Sequence, residues 1–329
     1  MLIVQTPLRV SLFGGGTDFP SYYQEHGGCV LSSAINKYVF ITIKPRFDDK
    51  IVVGYTRTES VDRVDQVQHD LIREVLRMAH VTCGVEIATM ADIPSRGSGL
   101  GSSSSITVGA LHAARAYRGE LVSAETLAAD ACTIERDILG APIGVQDQYI
   151  AAYGGLRFID FCQSGKIEIR RTPISAETQS RLSQNLMLFF TGIDRKAGTI
   201  LAEQKANIQT RLAILDEMKG IAHTAYQGLV RGDVEPIGAL LDKSWQLKKR
   251  LASRISNPAI NDMYATALKA GATGGKISGA GGGGFLFLYC PVERQSAVRE
   301  ALRNLRELPF RFDPYGSQVI FSKPSDRLF

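Results

Sequence analysis

Residues 94–105 read PSRGSGLGSSSS and run directly into ITVGALHAARAY (106–117), a stretch of small and apolar residues. Gly97, Gly99 and Gly101, on alternate positions, supply backbone that can take positive φ and pass close to a ligand. The serines Ser102 to Ser105 then open a helix. Its first N–H groups have no intrahelical acceptor and lie at the positive end of its dipole, so the segment is built to cradle an anion. A triphosphate is the guest it suits best, with serine hydroxyls adding hydrogen bonds or a metal ligand. The helix itself reads as buried packing, and His112 on it as a core histidine.

The same residue type recurs elsewhere. Glycine accounts for 32 of 329 residues, where an average usage of ~7% would give about 23. Three short runs hold thirteen of them, at Gly14 to Gly16, at Gly97, Gly99 and Gly101, and at Gly274, Gly275, Gly279 and Gly281 to Gly284, so the excess is local and not a low-complexity tract. Each run taken alone could equally be a tight turn. A Walker A loop is absent, because the Gly275-Lys276 pair is followed by Ile277 and position 270 is Ala. Gly279 to Gly284 satisfies GxGxxG literally, yet Phe285 to Tyr289 (FLFLY) reads as a strand where the dinucleotide fingerprint needs a helix. Hydride transfer is thereby disfavoured.

Beyond about 250 residues a single core tends to divide, so two domains are expected. The hydrophobic fraction of 44% and the charged fraction of 22% suit a globular chain and exclude disordered and fibrous classes. No apolar run approaches the ~18 residues of a spanning helix, and MLIVQTPLRVSLF reads as a strand, not a signal peptide. Five dispersed cysteines, none in a CxxC pair, disfavour disulfide scaffolds and zinc ribbons and fit reduced thiols in a cytoplasmic protein. The formal charge is +5, and residues 240–329 hold 14 of the 38 basic but 7 of the 33 acidic groups. That excess suits a solvated surface or an anionic metabolite better than nucleic acid, since aromatic-basic interleaving and finger spacing are missing. A homo-oligomer is compatible with the sequence.

Strands are predicted at 2–12, 38–44, 84–90 and 155–161, and helices at 66–79, 103–117 and 123–139. From 199 to 251 the pattern is helical, and the stripe from Ile208 to Leu229 predicts one long amphipathic helix. A helix at 259–270 follows, then strands at 284–290, 308–312 and 318–322 around a helix at 293–305, which together predict an antiparallel sheet backed by helices. The polar segment TPISAETQSRLSQ (172–184) marks the boundary, giving domains 1–178 and 179–329.

Between the loop and that boundary lie Glu135, near the end of a helical pattern, and Asp147, just after a Gly-Pro-Gly turn. Phosphoryl transfer needs a partner for the acceptor hydroxyl, a magnesium ligand and a cationic or dipolar cradle, and these residues with the 97–105 loop can fill those roles. Glu135 could equally be a surface helix residue. Taken in order, PLRVSLFGGGTD (7–18), PSRGSGLGSSSS, IGVQDQ (143–148) and KISGAGGGGF (276–285) resemble the GHMP small-molecule kinases over essentially the whole chain. GGGTDFPSYY and GVQDQYIAAYGG look most like the bacterial sugar kinases that phosphorylate heptose 7-phosphate at its anomeric hydroxyl.

The resemblance implies an α+β fold of two domains: an N-terminal mixed α/β nucleotide-binding domain and a C-terminal ferredoxin-like antiparallel sheet with helices. It implies ATP as donor, Mg2+ and a small sugar phosphate as partner, without nucleic acid or membrane. Asp147 would orient or deprotonate the sugar hydroxyl, and Arg9 would steady the developing charge. Ser103 and Glu135 would hold magnesium, while Gly97, Ser98, Gly99, Leu100, Gly101, Ser102, Ser103 and Ser104 would wrap the ATP phosphates. Gly15, Gly16, Thr17 and Asp18, with Gly279, Ala280, Gly281 and Gly282 closing from the second domain, would meet the substrate. Galactokinases carry Gly-Glu-His-Thr-Asp where this chain has Gly14-Gly-Gly-Thr-Asp18, so the two side chains that read galactose are missing. That leaves room for a larger anionic sugar, for whose phosphate Arg195, Lys196, Arg96 and Lys276 are candidates, each reading first as a solvated surface or structural charge.

Overall fold

A computed structural model describes residues 1–93, 97–194 and 197–323. The first twelve-residue strand, β1 (Leu2–Phe13), is rich in β-branched and large apolar residues, and its second half is buried throughout. A helix α1 (Pro20–His26) leads into β2 (Gly28–Pro45), which pairs antiparallel with β1. At eighteen residues β2 is long enough to serve two neighbours. Its later half, Val39–Pro45, pairs with β5 (Val85–Ala91), and its earlier half, Gly28–Ser33, with β6 (Leu156–Phe161). Between them come β3 (Ile51–Gly54), β4 (Thr58–Val61) and α2 (Asp70–Met78), with β3 parallel to β5. Three helices follow β5, namely α3 (Ser102–Tyr117), α4 (Ala124–Cys132) and α5 (Gln146–Tyr153), and β7 (Ile167–Arg171) completes this part beside β6.

The second sheet consists of β8 (Leu186–Phe190), β9 (Gly274–Ile277), β10 (Phe285–Tyr289) and the short β11 (Arg306–Glu307). Its order is β11-β8-β10-β9, with all pairs antiparallel. The helices α6 (Ala176–Gln184), α7 (Ala197–Ala206), α8 (Leu212–Val230), α9 (Ile237–Lys248), α10 (Pro258–Lys269) and α11 (Gln295–Ala301) accompany it. The expected two-part α+β architecture is present. The glycines before β10 do lead into a strand.

Three expectations are corrected in detail. The stripe from Ile208 to Leu229 is not one helix throughout: Ile208 lies in a 3-10 turn, and the rest of the stripe is in α8. The segment 172–184 connects β7 of the first sheet to β8 of the second, and α6 lies within it. The segment 318–322 does not join the second sheet. It forms β12 (Gln318–Ser322), antiparallel to β1 at the edge of the first. The returning chain is tied there by Tyr38 Oη donating to Asp313 Oδ2 at 2.6 Å and by Ser317 Oγ, 2.8 Å from Thr6 Oγ1 and 2.9 Å from His112 Nδ1. Of the expected 308–312 strand only Phe312 bridges, to Ile35. All five cysteines are free.

Candidate active site

Helix α3 begins at a cleft lined by Arg9, the start of the helix itself, Asp147, Lys248, Gly279 and Ala280 among others. Its N-cap, Gly101, is left-handed at φ +78° and offers no side-chain cap, so the first-turn N–H groups of Ser102, Ser103 and Ser104 lack side-chain partners. Gly97 and Gly99 are also left-handed, and residues 97–99 with 101–104 line the cleft. Sequence reasoning placed Leu100 in the cradle, but it is fully buried and faces the core. Its N–H donates to Ser98 Oγ at 3.3 Å and its carbonyl accepts from Arg9 N at 3.0 Å. The last serine of the run, Ser105, anchors the helix by donating to the Pro7 carbonyl at 2.8 Å.

Asp147 stands in the first turn of α5 and Arg9 in β1, 138 residues apart in sequence. Arg9 grips the carboxylate with both arms, Nε to Oδ1 at 2.7 Å and Nη2 to Oδ2 at 2.5 Å, and its Nη1 donates to the Gly99 carbonyl at 2.6 Å. One guanidinium therefore fixes the carboxylate against the anion loop. Such a bidentate pair fixes the orientation of the carboxylate at the rim of the loop.

Glu135 is 2% exposed, which removes the surface-helix alternative. The backbone after α4 widens into a π turn over Thr133–Ile138, a local expansion that turns Glu135 inward. It accepts hydrogen bonds from Ser103 Oγ and, at 2.5 Å, from Gln148 Nε2. Burial pushes its carboxyl pKa up, the Asp147 charge adds to that rise, and the hydrogen bonds oppose it. Among the described residues no cation pairs with it and no third acidic, His or Cys side chain converges there. A buried carboxylate and a hydroxyl form a hard oxygen pair, which suits a small divalent cation that completes its shell with phosphate oxygens and water.

Gly15, Gly16, Asp18 and Gln146 also line the cleft. Asp18 is 3% exposed and accepts from Gly16 N at 2.9 Å and from Gln146 Nε2 at 3.0 Å, and burial raises its pKa. Thr17 does not face the cleft. Its hydroxyl is fully buried, donating toward the Gly14 and Cys29 carbonyls and accepting from Cys29 N, and so it shapes the turn. From the second domain Gly279 and Ala280 line the cleft, whereas Gly281 and Gly282 turn against Ile255, to whose carbonyl Gly282 N donates at 2.7 Å. Lys276 is also corrected: it is 3% exposed, off the cleft, and donates to the Leu12 carbonyl at 2.9 Å. Burial, with Lys248 and Arg9 nearby, lowers its pKa well below the usual lysine range. Arg96, Arg195 and Lys196 lie outside the described residues. The cleft-lining Lys248, Gln204, Gln146 and Ser11 were not foreseen. Only Gln146, adjoining Asp147, carried a local hint.

Residues 67–155 match the N-terminal domain of the GHMP kinases and residues 225–308 match their C-terminal domain. Over 314 residues the chain is 32% identical to the D-glycero-alpha-D-manno-heptose 7-phosphate kinase of Campylobacter jejuni, covering 91% of this chain and 92% of that protein. The chain belongs to the GHMP kinases. A solved structure named as a D-glycero-D-manno-heptose 1-phosphate kinase from Bacteriodes thetaiotaomicron superposes on this GHMP kinase with a TM-score of 0.83 at 27% identity, covering 98% of this chain and all of that one. Lactococcus lactis galactokinase shares the fold at a TM-score of 0.77 and 20% identity, over 96% and 94% of the two chains. As a GHMP kinase the protein is a phosphotransferase acting on an alcohol group, with ATP as donor. No described helix is long and apolar enough to cross a membrane.

Proposed function

We propose that this GHMP kinase transfers the γ-phosphoryl group of ATP to the anomeric hydroxyl of D-glycero-D-manno-heptose 7-phosphate. The product would be the 1,7-bisphosphate, a precursor of nucleotide-activated heptose for surface glycans. The observation that carries the chemistry is Asp147, clamped by Arg9 at the rim of the phosphate loop. Its carboxylate takes or orients the proton of the attacking hydroxyl, while the α3 N-terminus binds the donor phosphates and Arg9 steadies charge at the centre of transfer. Glu135 and Ser103 would hold magnesium, which would supply neutralising charge on those phosphates. The choice of heptose phosphate is supported by the Campylobacter jejuni relative and by the room that Gly15 and Gly16 leave where galactokinases place Glu and His. Lys248 brings a cation to the second-domain wall, where an anionic acceptor would lie.

A second reading, an L-fucose or other sugar 1-kinase, is favoured by 28% identity over 90% of this chain to the Bacteroides fragilis L-fucokinase/L-fucose-1-P guanylyltransferase, of which the chain spans 35%. A non-catalytic sugar and ATP sensor is a poorer reading, since Arg9, Glu135 and Asp147 are all assembled at one cleft. A coupled ADP-release assay over heptose 7-phosphate, free heptose, mannose 6-phosphate, fucose and galactose separates the three. Saturable turnover with heptose 7-phosphate is the expected result. Saturation by an unphosphorylated sugar alone would overturn the assignment, and ATP binding without turnover on any sugar would restore the sensor.

A further inference from the structure

Helix α7 turns one face to the cleft, which Ala197, Leu201 and Gln204 line at helical spacing. Beside that face the helix is tied to its own domain. Glu203 accepts from Ser253 N at 2.6 Å and from Ser253 Oγ at 3.0 Å, and Asn207 Nδ2 donates to the Leu251 carbonyl at 2.9 Å. Gln204 is 3% exposed and reaches the first domain, where a Cβ placed on Gly16 would lie 2.6 Å from Gln204 Nε2. Gly16 has φ +114° and no side chain, so the amide takes the space above it. Among the described residues this amide has no hydrogen-bond partner, and its atoms are not sealed from the cleft. A polar group so deeply placed is normally paired, and one that opens into a cleft is paired by what enters it. From Gly16 a line of contacts leads to Asp147: Gly16 N donates to Asp18 Oδ1 at 2.9 Å, Asp18 Oδ2 accepts from Gln146 Nε2 at 3.0 Å, and Gln146 precedes Asp147.

We propose that Gln204 is a specificity-determining residue whose amide binds a hydroxyl of the acceptor, so that α7 of the second domain takes part in choosing the sugar. The ligand class is a polyhydroxyl compound, because a hydroxyl can donate to the amide oxygen and accept from the amide nitrogen. Glu203 and Ser253 hold the helix from which the amide projects. This inference rests on the sugar kinase reading, with Gly16 and Asp18 on the acceptor side of the cleft.

The test uses the full-length enzyme with the sugar or sugar phosphate from the panel that gives wild type its highest kcat/KM, and with the monodeoxy analogues of that compound. Gln204→Met should raise the acceptor KM about tenfold, the size of one neutral hydrogen bond, and leave the KM for ATP within about twofold. On one monodeoxy analogue the gap between wild type and variant should close, because the hydroxyl that Gln204 binds is gone. Unchanged kinetics, a rise confined to the KM for ATP, equal rises in both KM values, or a loss that persists on every analogue would overturn the proposal. Gln204→Ala, whose vacated space opens onto the cleft, carries the same test if Gln204→Met does not fold. Failure of the heptose assignment is seen in wild type alone, and failure of this inference only in the variants.

Discussion

At the scale of single residues, the site depends on charges held in defined relation to one another. Asp147→Asn keeps shape but leaves the Arg9 guanidinium without a carboxylate. It should lower kcat by about a thousandfold, the range of a positioned acid or base, with ATP affinity nearly unchanged by calorimetry; near-normal turnover would remove Asp147 from its role. Lys276 makes a second case. Its pKa is lower in the folded protein than in the unfolded chain, chiefly through burial, so the unfolded chain binds that proton more tightly. The cost to stability is largest below the folded-state pKa and is relieved as pH rises toward the ordinary lysine range. Lys276→Met should therefore melt higher than wild type at pH 7, and the gap should close between pH 7 and pH 10 in a series of thermal melts. A gap independent of pH would place the ammonium outside this linkage. Both side chains were visible as candidates in the sequence, and burial decided between the two readings of Lys276, phosphate ligand or structural charge, in favour of an internal strut on Leu12.

At the scale of elements, the junction of the glycine loop with α3 is the decisive piece. Gly101 is left-handed, and a Cβ there would lie 3.1 Å from Arg9 Cγ and 3.5 Å from Asp147 Oδ2. Gly101→Ala is expected to cost about 1–2 kcal/mol through backbone strain alone. Because it also presses on the Arg9–Asp147 pair, it should lower kcat as well as raise the KM for ATP. A thermal melt and steady-state kinetics check both, and a variant with wild-type kinetics would dissociate the cap from the catalytic pair. The domain contact uses glycine in the same way: a Cβ on Gly279 would come within 2.7 Å of Gly99 Cα, so the second-domain loop closes on the phosphate loop backbone to backbone. The loop, the helix after it and the first strand were legible because their signals are local, namely positive φ, an uncapped helix start and β-branched alternation. The π turn at Glu135 was not, since LAADACTIERDIL has an ordinary helical pattern and only packing widens it.

At the scale of the molecule, the chain begins and returns in the first sheet. Asp313 is the clasp: it accepts from Tyr38 Oη at 2.6 Å and from Tyr315 N at 2.9 Å, and its own N–H donates to the Ala34 carbonyl at 3.0 Å. Asp313→Ala strands the Tyr38 hydroxyl and the Tyr315 amide and should lower stability by about 1–3 kcal/mol. A urea titration should show one transition moved to lower denaturant, because the returning chain couples both sheets; a separate early transition would show them unfolding independently. The sequence by itself determined the glycine-serine loop, the helix it opens and the order of the motifs, because backbone conformation and short-range capping are written in neighbouring residues. Only the tertiary structure decided that Arg9 reaches Asp147 across 138 residues, that Glu135 turns inward, that Thr17 and Lys276 serve the frame, that Gln146 and Ser11 line the cleft, and that 318–322 pairs with β1. Those outcomes depend on which surfaces meet and lose water, and that is a property of the packed chain with no counterpart in local spacing.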